Sequence, residues 1–156
     1  MPDPLRIVFV CTGNICRSPI AEKVLQRHLQ DAGLADAATV TSAGTGPWHE
    51  GEPADSRAVD VLTAAGYSAS HVAHQITDSD LSADLLVALD SGHARDLRRL
   101  GAPADRVHLL RSFDPDADGA EVPDPYYDGP AEFQDVLTMV ESATSGVVQW
   151  VRDQSR

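Results

Sequence analysis

The sequence has few cysteines, few basic residues and no long apolar run. Its two cysteines, Cys11 and Cys16, are too few for the disulfide framework of a small secreted scaffold, so we expect reactive thiols in a reducing compartment. No stretch of about 20 uncharged apolar residues is present, so no membrane span is expected. Residues 1–6 lack a basic region followed by an apolar one, so no export signal is expected. These features predict a cytoplasmic protein, and they leave unconventional release open.

Lysine and arginine are scarce relative to the acidic residues. Twelve basic residues stand against 24 acidic ones, which gives a formal net charge of −12. This balance argues against a nucleic acid partner, because phosphate backbones recruit surplus basic side chains. The same charge repels anionic substrates. A phosphate-binding site in this chain must therefore depend on local donors.

What the 156 residues do contain is an alternation of apolar runs and helical patterns. Strands are predicted at residues 5–10, 39–43, 85–89 and 107–110, and helices at 18–32, 56–65, 92–100 and 131–151. In the second helix, Val59, Leu62 and Ala65 are predicted to face the core. Strands that alternate with helices imply a parallel sheet covered on both faces. The prediction is a single α/β domain over residues 1–156, with a four-stranded parallel sheet.

Ligands of such sheets bind at the carboxyl ends of the strands. Three segments that follow strands, residues 11–18, 43–53 and 111–130, are therefore expected at one rim of the sheet. The last of them is too long for a simple connection, and loops of that length are usually functional. This rim is where we expect the functional site.

The most informative segment is the loop at residues 11–18, CTGNICRS, between the first strand and the first helix. Backbone N–H groups of such a loop can turn inward around an anion, and the helix N-terminus adds partial positive charge. Gly13 can adopt a positive φ, and Asn14 tolerates one better than most residues. Arg17 can hold two phosphate oxygens with its guanidinium group. The segment lacks Gly-Lys-Ser/Thr, so it is not a nucleotide P-loop.

Cys11 begins this loop and is the candidate nucleophile. The donors that bind a phosphate dianion also stabilise a cysteine thiolate, which is the reactive form. A buried small apolar side chain is the alternative explanation, because a cysteine followed at this spacing by an arginine occurs by chance. The position between an apolar strand and a helix start favours the anion-binding interpretation.

The residues of this loop resemble the signature of the low-molecular-weight protein tyrosine phosphatases, and the resemblance covers essentially the whole chain. Residues 10–19, VCTGNICRSP, match the family signature, and residues 124–127, DPYY, match its general-acid motif. Residues 41–45, TSAGT, with the following Trp48, resemble the actinobacterial branch. The resemblance implies hydrolysis of protein phosphotyrosine and small aryl phosphates without a cofactor. Proteins that carry phosphotyrosine are then the implied partners.

The resemblance also implies a role for each part of the site. Cys11 attacks phosphorus to form a phosphocysteine, Arg17 clamps the phosphate, and Asp124 acts as general acid and then as general base. Phosphate is bound by the loop residues Thr12, Gly13, Asn14, Ile15, Cys16 and Ser18. Support for the loop comes from Ser42 and His71, and the pocket walls are Trp48, His49, Tyr126 and Tyr127. A tyrosine kinase that acts on Tyr126 and Tyr127 is a further implied partner.

Several of these residues have simpler explanations, which the sequence leaves open. Cys16 is either a reversible disulfide partner of Cys11, as in the family, or a packing residue. Ser18 is also a candidate N-cap of the first helix. Asp124 precedes a proline and is therefore also a candidate turn residue.

Two further pairs of residues invite interpretation. His71 and His74 suggest a metal pair, but no third ligand accompanies them, so no metal is predicted. Asp55 and Arg57 match family positions, but they would also cap and charge the second helix.

Two other functions compete with phosphatase activity. A thiol-linked arsenate reductase uses a similar fold and anion loop, but it needs further cysteines after the third strand, and residues 89–100 contain none. A non-catalytic phosphotyrosine-binding module would not need the nucleophile and the acid, and both Cys11 and Asp124 are present. The phosphatase interpretation therefore accounts for more of the sequence.

Overall fold

The computed structural model describes residues 3–154 and contains an open four-stranded sheet. Its strands are β1 (Leu5–Cys11), β2 (Ala38–Gly44), β3 (Leu85–Ala88) and β4 (Val107–Leu109). The strand order is β2-β1-β3-β4, and all neighbouring strands are parallel. The predicted α/β fold with a four-stranded parallel sheet is confirmed.

The helices are α1 (Arg17–Asp31), α2 (Ser56–Ala64), α3 (Asp78–Leu81), α4 (Ser91–Arg99) and α5 (Pro130–Gln154). Two short 3-10 segments, Ala104–Arg106 and Leu110–Phe113, flank β4. Helix α3 was not predicted, because four residues are too few to show a helical period. Its start is nevertheless encoded locally, since Thr77 and Asp80 form a reciprocal capping box.

Helices cover both faces of the sheet, as predicted. Side chains alternate along β1, so that Ile7 and Phe9 belong to one core while Val8 and Val10 belong to the other. The larger core includes the inner faces of α1, α2 and α5, and the smaller core includes the inner face of α4. Burial on both faces explains why β1 is a continuous apolar run.

The predicted inner face of α2 was wrong in part. Its buried residues are Ala58, Val61 and Leu62, whereas Ala65 is exposed. The helix ends at Ala64, before Gly66 adopts a φ of 87°. Alanine is small enough to lie on either face of a helix, so an apolar period that depends on it is weakly defined.

Parallel strands place the loops that follow them at one edge of the sheet. The long segment 114–129 reaches this edge through Val122, which is fully buried and donates its N–H to the carbonyl of Leu89 at 2.9 Å. This contact attaches the segment to the end of β3, beside the loop that follows β1.

No helix within residues 3–154 combines the length and the apolar character needed to cross a membrane.

Candidate active site

The loop between β1 and α1 turns sharply at Asn14. This residue has a φ of 59°, the one positive φ among the non-glycine residues described. Gly13, which was free to adopt a positive φ, does not do so. Gly13 is instead needed for space, because a Cβ atom there would lie 2.7 Å from Cδ2 of His49.

Behind the loop, hydrogen bonds form a chain whose direction can be assigned. Asn14 Nδ2 donates to Ser18 Oγ at 2.8 Å and to Ser42 Oγ at 2.9 Å. Ser42 in turn donates its hydroxyl proton to Glu22 Oε1 at 2.7 Å. Ser18 therefore accepts from the amide and keeps its own proton. The Sγ atom of Cys11 lies 2.8 Å from the Ser18 hydroxyl and can accept a hydrogen bond from it.

The backbone of the loop is held from the other side by the segment 71–74. His71 Nε2 lies 2.7 Å from the carbonyl oxygen of Asn14, and the N–H of His74 donates to Asn14 Oδ1 at 3.1 Å. Burial lowers the pKa of His71, so a neutral ring donates to the carbonyl at neutral pH. His74 Nε2 contacts Asp80 Oδ2 at 3.0 Å. Within residues 3–154 no group of three or more potential metal ligands occurs.

The N-cap explanation of Ser18 does not hold. Helix α1 begins at Arg17, its N-cap residue is Cys16, and no side chain caps it. Ser18 lies inside the first turn with its hydroxyl in the network behind the loop. The helix N-terminus therefore opens directly onto the loop, with N–H groups that no side chain satisfies.

Arg17 is buried beneath the pocket and held by residues that follow β3. Its Nη1 atom donates to Asp90 Oδ2 and to the carbonyl oxygen of Val122, both at 2.9 Å. Its Nη2 atom lies 3.7 Å from Asp124 Oδ2. Burial opposes ionisation of Asp90, but the N–H of His93 and the Arg17 guanidinium keep its pKa below the ordinary value. The guanidinium is thus anchored at one end and faces the pocket with the other.

Sequence reasoning missed Asp90, His93 and the structural role of Glu22. Asp90 lies two residues beyond the end of β3, the neighbour of β1 in the sheet. The rule that sites form at carboxyl ends of parallel strands would have placed Asp90 near the loop. No comparable signal exists for His93, whose ring reaches the site only because α4 begins at Ser91.

A cavity of about 380 Å³ opens above the loop. Its lining residues are Cys11, Thr12, Gly13, Ile15, Cys16, Arg17, Trp48, His49, Asp124, Tyr126 and Tyr127. The predicted nucleophile, clamp, acid and wall residues therefore come together in one pocket. Ser42 and His71, which were predicted to support the loop, lie behind it, and the side chains of Asn14 and Ser18 lie there with them.

Aromatic side chains form the walls of this cavity. Tyr126 and Tyr127 meet edge to face, with ring centroids 4.9 Å apart, and Tyr126 lies 6.0 Å from the ring of His49. Trp48 is 66% exposed and Tyr127 is 92% exposed. Exposed large aromatic rings at the mouth of a pocket provide a surface for a flat ligand.

Asp124 combines a turn role with access to the pocket. Its Oδ1 atom accepts a hydrogen bond from the N–H of Tyr126 at 3.1 Å. Its Oδ2 atom is the oxygen near Arg17, and its side chain is 49% exposed. The carboxyl group is therefore held in the turn through one oxygen, while the other lies at the pocket.

Cys16 is a buried free thiol in the same loop as Cys11. Burial is the main reason that its pKa is raised, and the negative charge of Asp55 adds to the effect. A protonated thiol attacks poorly in thiol–disulfide exchange. The raised pKa therefore keeps the Cys16 thiol protonated at neutral pH, and its burial is compatible with the packing explanation.

The fold and the site together define an α/β protein whose anion-binding loop encloses a cysteine, with an arginine and a carboxylate beside it. Residues 6–156 match the family described as low molecular weight phosphotyrosine protein phosphatase. The chain belongs to this family and is an enzyme of the hydrolase class.

Individual relatives agree with this assignment. The chain is 54% identical to low molecular weight protein-tyrosine phosphatase A of Mycobacterium tuberculosis, over 97% of this chain and 94% of the relative. It is 53% identical to a low molecular weight protein-tyrosine-phosphatase of Streptomyces coelicolor, over 96% and 94% of the two chains. A crystal structure of a protein tyrosine phosphatase from Entamoeba histolytica, with Hepes in the active site, superimposes with a TM-score of 0.92 at 31% identity, covering 97% of this chain and 99% of the other. The resemblance to the actinobacterial branch is confirmed.

Proposed function

We propose that the enzyme hydrolyses phosphotyrosine in proteins, and small aryl phosphates, through a phosphocysteine intermediate on Cys11. The observation that carries this proposal is the direction of the hydrogen bonds behind the loop, which leaves Ser18 a proton to donate to Cys11 Sγ. Such a donor stabilises a thiolate, the form of cysteine that acts as a nucleophile. A cysteine with only a packing role would not need it.

The reaction proceeds in two displacements at phosphorus. In the first, the Cys11 thiolate forms a bond to phosphorus, the bond to the phenolic oxygen breaks, and Asp124 gives its proton to that oxygen. In the second, water attacks the phosphocysteine and gives a proton to the Asp124 carboxylate. The bond between phosphorus and sulfur then breaks, which releases inorganic phosphate and regenerates the thiolate.

Charge on the transferred phosphoryl group is stabilised locally. The Arg17 guanidinium, the backbone N–H groups of residues 12–18 and the N-terminus of α1 all present positive partial or full charge to the pocket. Because phosphoryl transfer depends mainly on positioning and charge stabilisation, these donors supply what the chemistry needs. They also offset the repulsion that a net charge of −12 exerts on a dianionic substrate.

The aromatic walls favour aryl phosphates over phosphoserine and phosphothreonine. A tyrosyl ring between Trp48 and Tyr127 would place its phosphate at the floor of the pocket, while the shorter aliphatic esters would not reach it. The exposure of Tyr127 also supports the proposal that a tyrosine kinase acts on Tyr126 and Tyr127. A reducing compartment such as the cytoplasm suits the mechanism, since both cysteines are free thiols.

The first test replaces the nucleophile. Cys11→Ser should abolish hydrolysis of p-nitrophenyl phosphate and of phosphotyrosine peptides, while phosphate still binds, as measured by calorimetry. Turnover by this variant would contradict the proposal. Arsenate reduction coupled to thioredoxin oxidation by the unaltered enzyme would identify an arsenate reductase, and phosphopeptide binding without turnover would identify a binding module.

The second test concerns the acid. Asp124→Ala should lower kcat/KM for phosphotyrosine roughly 10²- to 10⁴-fold. The loss should be much smaller for 2,4-dinitrophenyl phosphate, whose leaving group needs no proton. Asp128→Ala is the matched control, because it removes an exposed carboxylate from the same loop. Equal losses for both substrates would show that Asp124 is not the proton donor.

A further inference from the structure

His93 is a buried imidazole at the base of the pocket, and the mechanism above does not use it. It lies in the first turn of α4 and is 4% exposed. Its Nε2 atom is 2.9 Å from Thr12 Oγ1 and 3.4 Å from Arg17 Nη2. The ring therefore contacts both a loop side chain and the phosphate clamp.

The surroundings of the ring fix its tautomer. Nδ1 lies 3.2 Å from Asp90 Oδ1, and among the described residues it makes no other polar contact and no hydrogen bond of good geometry. A carboxylate beside Nδ1 favours the proton on that nitrogen, which leaves Nε2 as an acceptor. Burial and the nearby Arg17 charge lower the pKa of His93 to about 4, so the ring is neutral at pH 7. Both Thr12 and Arg17 then donate to Nε2.

The donors of Arg17 can be counted one by one. A guanidinium group has five N–H donors. The two on Nη1 go to Asp90 and to the Val122 carbonyl. Nη2 lies 3.4 Å from His93 Nε2 and makes a longer contact of 3.5 Å with Thr12 Oγ1. The second Nη2–H and the Nε–H share one edge of the group, and no described residue accepts from Nε. That edge matches the geometry in which a guanidinium binds two phosphate oxygens.

We propose that His93 is a positioning residue, which accepts from Arg17 and Thr12 through Nε2 and thereby turns the Nε–Nη2 edge of the guanidinium toward the substrate phosphate. Without this acceptor, Arg17 Nη2 would keep only the long contact with Thr12 Oγ1 at 3.5 Å, and the guanidinium could rotate about its anchored Nη1 end. The inference rests on the phosphatase function proposed above, and it assigns part of the substrate affinity to a residue outside the phosphate loop.

A pair of amide substitutions separates the acceptor role from packing. The amide of glutamine reaches about as far as Nε2, whereas the shorter amide of asparagine reaches only as far as Nδ1. His93→Gln should therefore keep affinity for inorganic phosphate within about 3-fold of the unaltered enzyme. His93→Asn should lose about 10- to 100-fold in phosphate affinity and in kcat/KM, as expected for a lost hydrogen bond to a charged group. His108→Asn, at an exposed position in β4, is the control.

Phosphate affinity is measured by calorimetry, and thermal unfolding confirms that each variant is folded. Equal affinity in the Gln and Asn variants, whether both near that of the unaltered enzyme or both reduced, would overturn the inference. Calorimetry needs no turnover, so the two proposals can fail separately. A protein that binds phosphate in a His93-dependent way but does not hydrolyse aryl phosphates would overturn the proposed function and leave this inference standing.

Discussion

Asn14 meets two requirements that few residues meet together. Its φ of 59° lies in the left-handed region, which asparagine adopts more readily than most residues. Its side-chain amide also supplies two N–H donors, which reach Ser18 and Ser42. Glycine would adopt the backbone conformation without the donors, and aspartate would lack the donors and add a negative charge near Cys11.

Replacing Ser18 tests whether its hydroxyl, the last group in the chain of hydrogen bonds behind the loop, donates to Cys11 Sγ. Ser18→Ala should slow alkylation of Cys11 by iodoacetate at neutral pH about 10-fold, because one charge-assisted hydrogen bond to the thiolate is lost. Alkylation is followed by mass spectrometry of the Cys11 peptide. Ser142→Ala, on the exposed face of α5, should leave the rate unchanged. An unchanged rate in Ser18→Ala would mean that the hydroxyl does not donate to sulfur.

At this scale the sequence predicted which residues meet at the pocket but not how they are connected. Cys11, Arg17 and Asp124 belong to motifs that can be recognised from spacing and context. The bond from Ser42 to Glu22 joins β2 to α1, and its direction depends on which partners surround each hydroxyl. Such directions follow from packing and cannot be read from a linear pattern.

At the scale of the elements, residues at the start of α2 connect the loop at residues 11–18 with the segment 114–129. Arg57 donates to the carbonyl of Tyr126 at 2.9 Å and to that of Asp128 at 2.7 Å, and its guanidinium carbon lies 4.5 Å from the ring centroid of Phe133. The neighbouring Asp55 donates its N–H to the carbonyl of Ile15 in the phosphate loop at 2.9 Å. Asp55 does cap α2, but the capping explanation from the sequence is incomplete.

Loss of Arg57 should therefore loosen the segment 114–129 that carries Asp124 (the acid loop), while the loop at residues 11–18 stays formed. Arg57→Ala should lower kcat/KM for phosphotyrosine about 10-fold or more, with little change for 2,4-dinitrophenyl phosphate or for phosphate affinity. Limited proteolysis should cut the variant faster within residues 114–129. Arg27→Ala, which removes an exposed arginine from α1, is the control. A uniform loss with both substrates would argue against a role specific to the acid loop.

The periodic patterns predicted the longer elements well, because burial of one face or both faces leaves a mark over many residues. The strand β1 and the helix α5 are examples. The short α3 depends on two capping residues, and the segment 114–129 depends on contacts with β3 and α2. Neither kind of information is periodic, so these parts required the structure.

At the scale of the whole molecule, the buried His93 links stability to pH. Its pKa is lowered from 6.5 to about 4 by burial and by Arg17, against the attraction of Asp90, Asp96 and Asp124. As the pH falls below about 6.5, the His93 side chain becomes protonated in the unfolded chain but stays neutral in the folded chain. The stabilisation is therefore complete above pH 6.5 and is lost as pH falls toward 4, by roughly 3 kcal/mol in all.

Urea unfolding of the unaltered enzyme between pH 7.5 and 4.5 should show this loss in the free energy of unfolding. His93→Gln should have a shallower pH dependence over the same interval, whatever its stability at pH 7.5, because glutamine does not titrate. His108→Gln, which replaces an exposed histidine, should keep the original slope. Parallel curves of unfolding free energy against pH for His93→Gln and the unaltered enzyme would contradict the assignment of this pH dependence to His93.

Val122 has a consequence for how this family can vary. Its N–H is bound to the carbonyl of Leu89, just beyond β3, and its carbonyl accepts from Arg17, so this one residue attaches the segment 114–129 to the sheet and also helps to orient the Arg17 guanidinium. Residues 114–120 lie upstream of Val122, and all but two of them are exposed. Insertions and deletions should thus accumulate in that upstream stretch among homologues, while the spacing between Val122 and Asp124 stays invariant.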